Sequence, residues 1–173
     1  MKLLAFAASS SSKSINKQLA SYATSLVSDA SVEILDINDY EMPLFSEDKE
    51  AEIGQPELAK AFYAKLGQAD GIIISFAEHN GSYTTAYKNL FDWTSRIDMK
   101  LFQSKPVVFL ASSPGPGGAS SVLAAATASA PYFAADVKAS ISVPNFYENF
   151  DIEKQAVTNP EIVAQLKAAV AQL

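Results

Sequence analysis

Four apolar runs, each bounded by turn-forming residues, restrict the fold of this chain more than any other feature. They span residues 2–8, 32–37, 71–77 and 106–112. Three of them have almost continuously apolar centres, LLAF, IIISF and VVFLA, which is typical of parallel strands covered by helices on both faces. The run that begins at Val32 alternates in part, which favours a position near an edge of the sheet.

Segments with apolar residues at three- and four-residue spacing separate the runs and predict helices. They cover residues 14–28, 55–67, 84–97 and 119–129. A weaker strand is predicted over 138–143. The closing stretch begins a helix with Asn159 as N-cap, Pro160 at the first helical position and Glu161 in the first turn.

This alternation predicts an α/β fold: a single domain over residues 1–173 with a doubly wound, five-stranded parallel sheet. Five strands favour the flavodoxin-like order 2-1-3-4-5, with helices on both faces. In such sheets, ligands bind beyond the carboxyl ends of the strands, at the point where the strand order reverses. The loops after the first, third and fourth strands are therefore expected to form the site.

Composition excludes several classes of protein. The net charge of −6 and the lack of a basic stripe give no electrostatic support for binding nucleic acid or an anionic membrane. With no cysteine and one histidine, the chain has no disulfide, no thiolate metal site and no cysteine nucleophile, and no metal site is expected. Any redox chemistry needs a bound cofactor. The first apolar run is too short to span a membrane and lacks a signal-peptide layout, so we expect a cytoplasmic protein.

The loop after the first strand reads ASSSSKSIN over residues 8–16. It leads into the first helix, whose N-terminus presents unpaired N–H groups and a partial positive charge. Hydroxyl and amide groups there could cradle a phosphate, with Lys13 as a cationic contact; the candidates are Ser9, Ser11, Ser12, Ser14 and Asn16. The same serines could instead be only N-caps and turn formers. The loop is neither a Walker phosphate loop nor a GxGxxG loop.

The other two loops are also unusual. After the third strand, Asn80-Gly81 predicts a turn, and Ser82 or Thr84 can cap the following helix, whose Leu90, Phe91 and Trp93 are expected in the core or at a subunit contact. After the fourth strand, SSPGPGG supplies a tight loop whose backbone can lie against a ligand. Three such loops at the expected ligand edge are stronger evidence for a ligand site than any one of them alone.

The chain resembles the NAD(P)H-dependent FMN reductases, a flavodoxin-like family that includes chromate, azo-dye and quinone reductases. The resemblance rests on ASSSSKSIN at 8–16, AEHNGS at 77–82 with KNLFDW at 88–93, SPGPGG at 113–118, and YEMPLFSED at 40–48. The chain departs from the family pattern at four positions. Ser11 stands where the family has arginine, Ala8 where it has glycine, Ala77 where it has proline and His79 where it has tyrosine. Without that arginine, Lys13 is left as the cation for the phosphate.

The resemblance implies a site for FMN, with NADPH or NADH as hydride donor. It implies phosphate contacts from Ser9, Ser11, Lys13, Ser14 and Asn16, ring contacts mainly through the backbone of Glu78, His79, Asn80 and Gly81, and a second border of the ring at Ser113, Gly115, Gly117 and Gly118. No side chain is needed as a catalytic group, because the flavin carries the hydride. His79 is interpreted as a ring contact, with a proton-transfer role or plain polar surface as the alternatives.

The resemblance also implies partners and leaves alternatives open. The electron acceptor would be a flavin, quinone, azo compound or metal oxyanion, and the chain would form a homodimer or homotetramer through the helix that carries Trp93. One alternative is an electron carrier of the flavodoxin type, although the glycine of the flavodoxin phosphate loop is missing. Another is a relative that has lost FMN, a reading motivated by Ser11.

Overall fold

The computed structural model describes residues 1–173 and contains a five-stranded parallel sheet in the order β2-β1-β3-β6-β7. The strands are β1 Lys2–Ala8, β2 Ser31–Leu35, β3 Gly71–Phe76, β6 Pro106–Ser112 and β7 Asp136–Val143. In sheet order this is 2-1-3-4-5, so the predicted fold class is confirmed. The second strand lies at an edge, as its partial alternation predicted, and four of its five residues are exposed.

Seven helices accompany the sheet: α1 Ile15–Ser25, α2 Glu47–Ile53, α3 Glu57–Gln68, α4 Thr85–Ser95, α5 Ser120–Ser129, α6 Phe146–Asn149 and α7 Pro160–Val170. Alternate residues of β1 enter two separate apolar clusters. Leu4 and Phe6 pack with residues of α3, α4 and α5, whereas Leu3 and Ala5 pack with residues of α1 and α7. The central strands are therefore buried on both faces, which explains their continuous apolar sequence.

Local capping chemistry sets several helix boundaries. Asn159 caps α7 by accepting a hydrogen bond from the Glu161 N–H, as predicted. Thr84 caps α4 by accepting from the Tyr87 N–H, and its hydroxyl donates to the Ala8 carbonyl at 3.0 Å. This second bond fixes the start of α4 to the end of β1, directly below the serine-rich loop.

The sequence did not predict α2 or the two short hairpins, β4 Glu78–His79 with β5 Ser82–Tyr83 and β8 Phe150–Asp151 with β9 Ala156–Val157. Helix α2 is short and has no buried residue, so apolar spacing cannot reveal it. Its capping signal was present, because Ser46 accepts from the Lys49 N–H and acidic residues fill the first turn.

Trp93 lies inside the protein, fully buried, where its indole N–H donates to the Pro43 carbonyl at 2.7 Å. Its ring packs edge-on against Phe45, with centroids 5.0 Å apart. Of the two locations predicted for this residue, the core is therefore the observed one. None of the helices combines the length and the apolar content needed to cross a bilayer.

Candidate functional site

Three loops meet above the carboxyl ends of β1, β3 and β6 and enclose a cleft of about 230 Å³. The lining includes eight of the thirteen residues predicted from the sequence: Ser9, Ser11, Lys13, Ser14, Asn16, Glu78, His79 and Ser113. Asn80, Gly81, Gly115, Gly117 and Gly118 are not part of the lining. The cleft lies where a doubly wound sheet is expected to bind its ligand.

The N-terminus of α1 forms one wall of the cleft. Ser14 is its N-cap and accepts a hydrogen bond from the Lys17 N–H at 3.2 Å. The first turn contains no acidic residue, so no side chain offsets the partial positive charge of the helix end. Lys13 is exposed and forms no ion pair. The arrangement is suited to an anion, and the donors present fit a phosphate group.

A second group of side chains braces the serine-rich loop from the β2 side. Lys17 pairs with Asp36 at 2.7 Å, and Asp36 also accepts from the backbone and side chain of Asn38. The side chain of Asn38 then donates to the Ser10 carbonyl at 3.2 Å. The hydrogen bond from Lys17, together with that from the Asn38 backbone, lowers the pKa of Asp36 below its ordinary value of 3.8.

Asn16 lines the cleft, but its side chain forms hydrogen bonds within the protein. The amide oxygen accepts from the Ser75 hydroxyl at 2.7 Å and from the Ser112 N–H at 3.0 Å. The amide nitrogen donates to the Ser112 carbonyl at 3.1 Å. Neither Ser75 nor Ser112 could be recognised as a partner from the sequence, because they lie 59 and 96 residues away along the chain.

Glu78 also has a structural partner. Its carboxylate accepts a hydrogen bond from the Val122 N–H at 2.9 Å, in the first turn of α5. The N-cap of that helix is Ala119, which has a left-handed backbone and provides no side-chain cap. Glu78 therefore supplies, from the loop after β3, the cap that α5 lacks. Its carboxylate joins the second and third loops of the cleft.

The Asn80-Gly81 pair forms the two-residue turn of the β4–β5 hairpin. Both residues have positive φ, 53° and 78°, the combination found in type I′ turns. The turn carries His79 to an exposed position on the rim of the cleft. A Cβ at Gly81 would meet nothing within 4 Å, so this lip is open to solvent.

The glycines of the loop after β6 have two different environments. Gly115 and Gly117 have no atom within 4 Å of an added Cβ, so packing does not require glycine there, and both carbonyls accept hydrogen bonds within the protein. Gly118 is buried, has φ 56° and lies so close to Ser142 that a Cβ would clash with its hydroxyl oxygen. The Ser142 hydroxyl donates to the Gly118 carbonyl at 2.8 Å. The close packing of Gly118 against β7 therefore explains why this position is a glycine.

An apolar groove of about 330 Å³ lies beside the hairpin, between α4 and the segment that follows α5. Its apolar lining comes from Tyr83, Tyr87, Phe91, Met99 and Phe133. The Phe91 and Phe133 rings pack edge-on with centroids 4.6 Å apart, while Met99 is 58% exposed. The ion pair between Lys88 and Asp92, at 2.7 Å, lies on the rim.

Comparison with known proteins connects this geometry to a family. Residues 1–148 match the family model described as NADPH-dependent FMN reductase. A 2-hydroxy-1,4-benzoquinone reductase from Burkholderia sp. is 38% identical over 104 residues, which are 59% of this chain and 55% of that protein. A quinone reductase from Escherichia coli (strain K12) is 36% identical over 75 residues, 43% of this chain and 40% of that protein. The chain thus spans about half the length of these relatives.

The fold has similar solved structures along the whole chain. The flavoenzyme NAD(P)H:(acceptor) oxidoreductase FerB from Paracoccus denitrificans superimposes with a TM-score of 0.77 at 21% identity, covering 99% of this chain and 93% of that one. At this identity, the likeness establishes the fold and leaves the chemistry to the residues of the cleft.

Proposed function

We propose that this chain, which belongs to the NADPH-dependent FMN reductase family, binds FMN in the three-loop cleft and uses NADPH or NADH to reduce a small acceptor. The observation that carries the proposal is the α1 N-terminus: a free lysine, a serine cap and no acidic residue in the first turn lie together at the ligand edge of the sheet. Residues 1–148, the part that matches the family model, contain all three loops.

In this proposal, the first loop holds the phosphate of FMN. Ser9, Ser11 and Ser14 offer hydroxyls, the first turn of α1 offers backbone N–H groups, and Lys13 offers the only cationic side chain in the lining. Hydrogen bonds to a charged group are worth about 1.5–3 kcal/mol each, so several of them can substitute for one bidentate arginine. The contribution of Glu78 is to keep the second and third loops together, because one of its carboxylate oxygens accepts from the Val122 N–H.

The flavin ring would extend from the phosphate toward the hairpin that carries His79 and toward Ser113, at the start of the glycine-containing loop. Bound FMN supplies the chemistry, since it can accept a hydride from a nicotinamide and pass electrons to a second substrate. The residues of this chain bind and orient it, and His79 borders the ring from an exposed position. No side chain of the cleft has to act as a proton donor.

Among acceptors, we propose a quinone. Two of the relatives are named quinone reductases. We further propose a cytoplasmic location, where nicotinamide donors are available.

The apolar groove beside the hairpin supports a homodimer. A second copy related by a twofold axis would cover Phe91 and the exposed Met99, and could place Lys88 of each copy near Asp92 of the other. Sedimentation of the wild type and of Met99→Glu tests this. A dimer that the charged variant dissociates is the expected result, whereas a wild-type monomer would refute it.

The deciding experiment for the activity is a visible absorption spectrum of the purified protein with added FMN, followed by anaerobic NADPH and NADH. We expect a bound-flavin spectrum that bleaches rapidly with at least one of the two donors. Bound flavin that stays oxidised would instead indicate an electron carrier, and no bound flavin would remove FMN from the proposal.

A further inference from the structure

We propose that the side chain of Asn16 is a positioning group, which sets the spacing between the first and third loops of the cleft and does not itself contact the ligand. This inference rests on the proposed FMN site and goes beyond it, because it assigns the residue a role that the family resemblance does not imply. A phosphate-contact role and a positioning role make opposite predictions for a flavin that lacks the phosphate.

The hydrogen bonds of Asn16 leave little capacity for a ligand. A side-chain amide oxygen has two lone pairs, and here both are used, by the Ser75 hydroxyl and the Ser112 N–H. One of the two amide hydrogens is used by the Ser112 carbonyl. Asn16 is 2% exposed, Ser75 is fully buried and Ser112 is 2% exposed. Turning the amide toward a ligand would leave buried polar groups unpaired, which is unfavourable.

The partners of Asn16 explain what the residue positions. It occupies the first turn of α1, whereas Ser75 lies near the carboxyl end of β3 and Ser112 is the last residue of β6. The Asn16 side chain bonds to both the N–H and the carbonyl of Ser112. It therefore fixes the orientation of the Ser112 backbone as well as its distance from α1. The next residue, Ser113, lines the cleft.

The same network continues across the sheet. The Ser112 hydroxyl donates to the Val143 carbonyl at 2.7 Å, which ties the end of β6 to the end of β7. Asn16 therefore connects the start of α1 to the ends of three strands by way of two serines. Removing its amide would release the first loop from the third, and the cleft would lose its fixed width while the two apolar clusters stay intact.

The test measures binding of FMN and of riboflavin, which has no phosphate, by quenching of flavin fluorescence. For Asn16→Ala, we expect both affinities to fall by the same factor, about tenfold or more. Lys13→Ala is the matched control for a phosphate contact and should weaken FMN alone. If Asn16→Ala weakens FMN and leaves riboflavin unchanged, the side chain contacts the phosphate and the positioning role is wrong. Unchanged affinity for both flavins would also overturn it.

A second variant keeps the proposal testable if the alanine variant does not fold. Asn16→Asp retains the acceptor oxygen, but its carboxylate cannot donate to the Ser112 carbonyl. Riboflavin affinity should therefore fall as it does in Asn16→Ala, because the hydrogen bond to the Ser112 carbonyl is lost. Riboflavin has no phosphate, so charge repulsion by the new carboxylate does not enter this comparison.

Riboflavin affinity that stays at the wild-type value in Asn16→Asp would contradict the positioning role. Ser46→Asp places the same charge outside the cleft without breaking the network, and should leave riboflavin affinity at the wild-type value. Wild-type protein that binds neither flavin would refute the FMN site itself, an outcome that is separate from any difference among the variants.

Discussion

Ser14→Asp separates the stability of α1 from the electrostatics of the cleft. Aspartate caps helices about as well as serine, so the new carboxylate can accept from the Lys17 N–H as the hydroxyl does now, and the melting temperature should stay near that of the wild type. The same carboxylate would face the phosphate of FMN. Two unit charges about 4 Å apart repel by about 4 kcal/mol at an effective dielectric constant of about 20. That repulsion corresponds to a loss of affinity of roughly a thousandfold.

Two controls make the measurement specific. Ser14→Ala removes the cap and should lower stability by about 1 kcal/mol, yet it adds no repulsion and should bind FMN better than the aspartate variant does. Ser46→Asp places the same charge on the N-cap of α2, outside the cleft, and should bind FMN like the wild type. Thermal melts and FMN titrations of all three provide the comparison. An unchanged FMN affinity in Ser14→Asp would refute the phosphate cradle.

Three further predictions concern stability. Glu78→Ala should lower the free energy of unfolding by about 1 kcal/mol or more, because the Val122 N–H loses its acceptor, and chemical denaturation measures this; Glu78→Gln should recover most of the loss. Gly118→Ala should lower the free energy of unfolding by more than about 1 kcal/mol in the same assay, because its Cβ would meet Ser142. An equal loss in Gly118→Ala and Gly117→Ala would contradict the close packing of Gly118 against Ser142. Since the pKa of Asp36 is lowered in the folded state, its contribution to the stability of the fold is present above pH 3.8 and is lost as the pH falls further. In an acid titration, Asp36→Asn should therefore lose less stability over that range than the wild type does.

The elements that the sequence predicted well are those whose signals are local. Continuous apolar runs identified the buried strands, and Asn-Gly identified a turn that became the tip of a hairpin. Thr84 and Asn159 marked helix starts because a cap acts on residues two or three positions later.

The roles that could not be predicted depend on partners far away in the chain. Asn16 was assigned to a ligand from its loop and from the family resemblance, and Glu78 from the resemblance alone, but their partners are up to 96 residues distant. Gly118 could not be distinguished from Gly117 by sequence, since the difference lies in the approach of Ser142 from another strand. Pairwise contacts of this kind need the folded backbone.

The burial of Trp93 gives the chain a built-in optical probe. It is the only tryptophan, it is fully shielded from water, and its N–H is bonded to the segment that follows β2. Its emission should lie at short wavelength in the folded protein and shift to longer wavelength on unfolding. Flavins absorb where indole emits, so quenching of the same emission would report binding of FMN. One unlabelled sample can therefore provide both the melting curve and the titration for every variant in which Trp93 is retained.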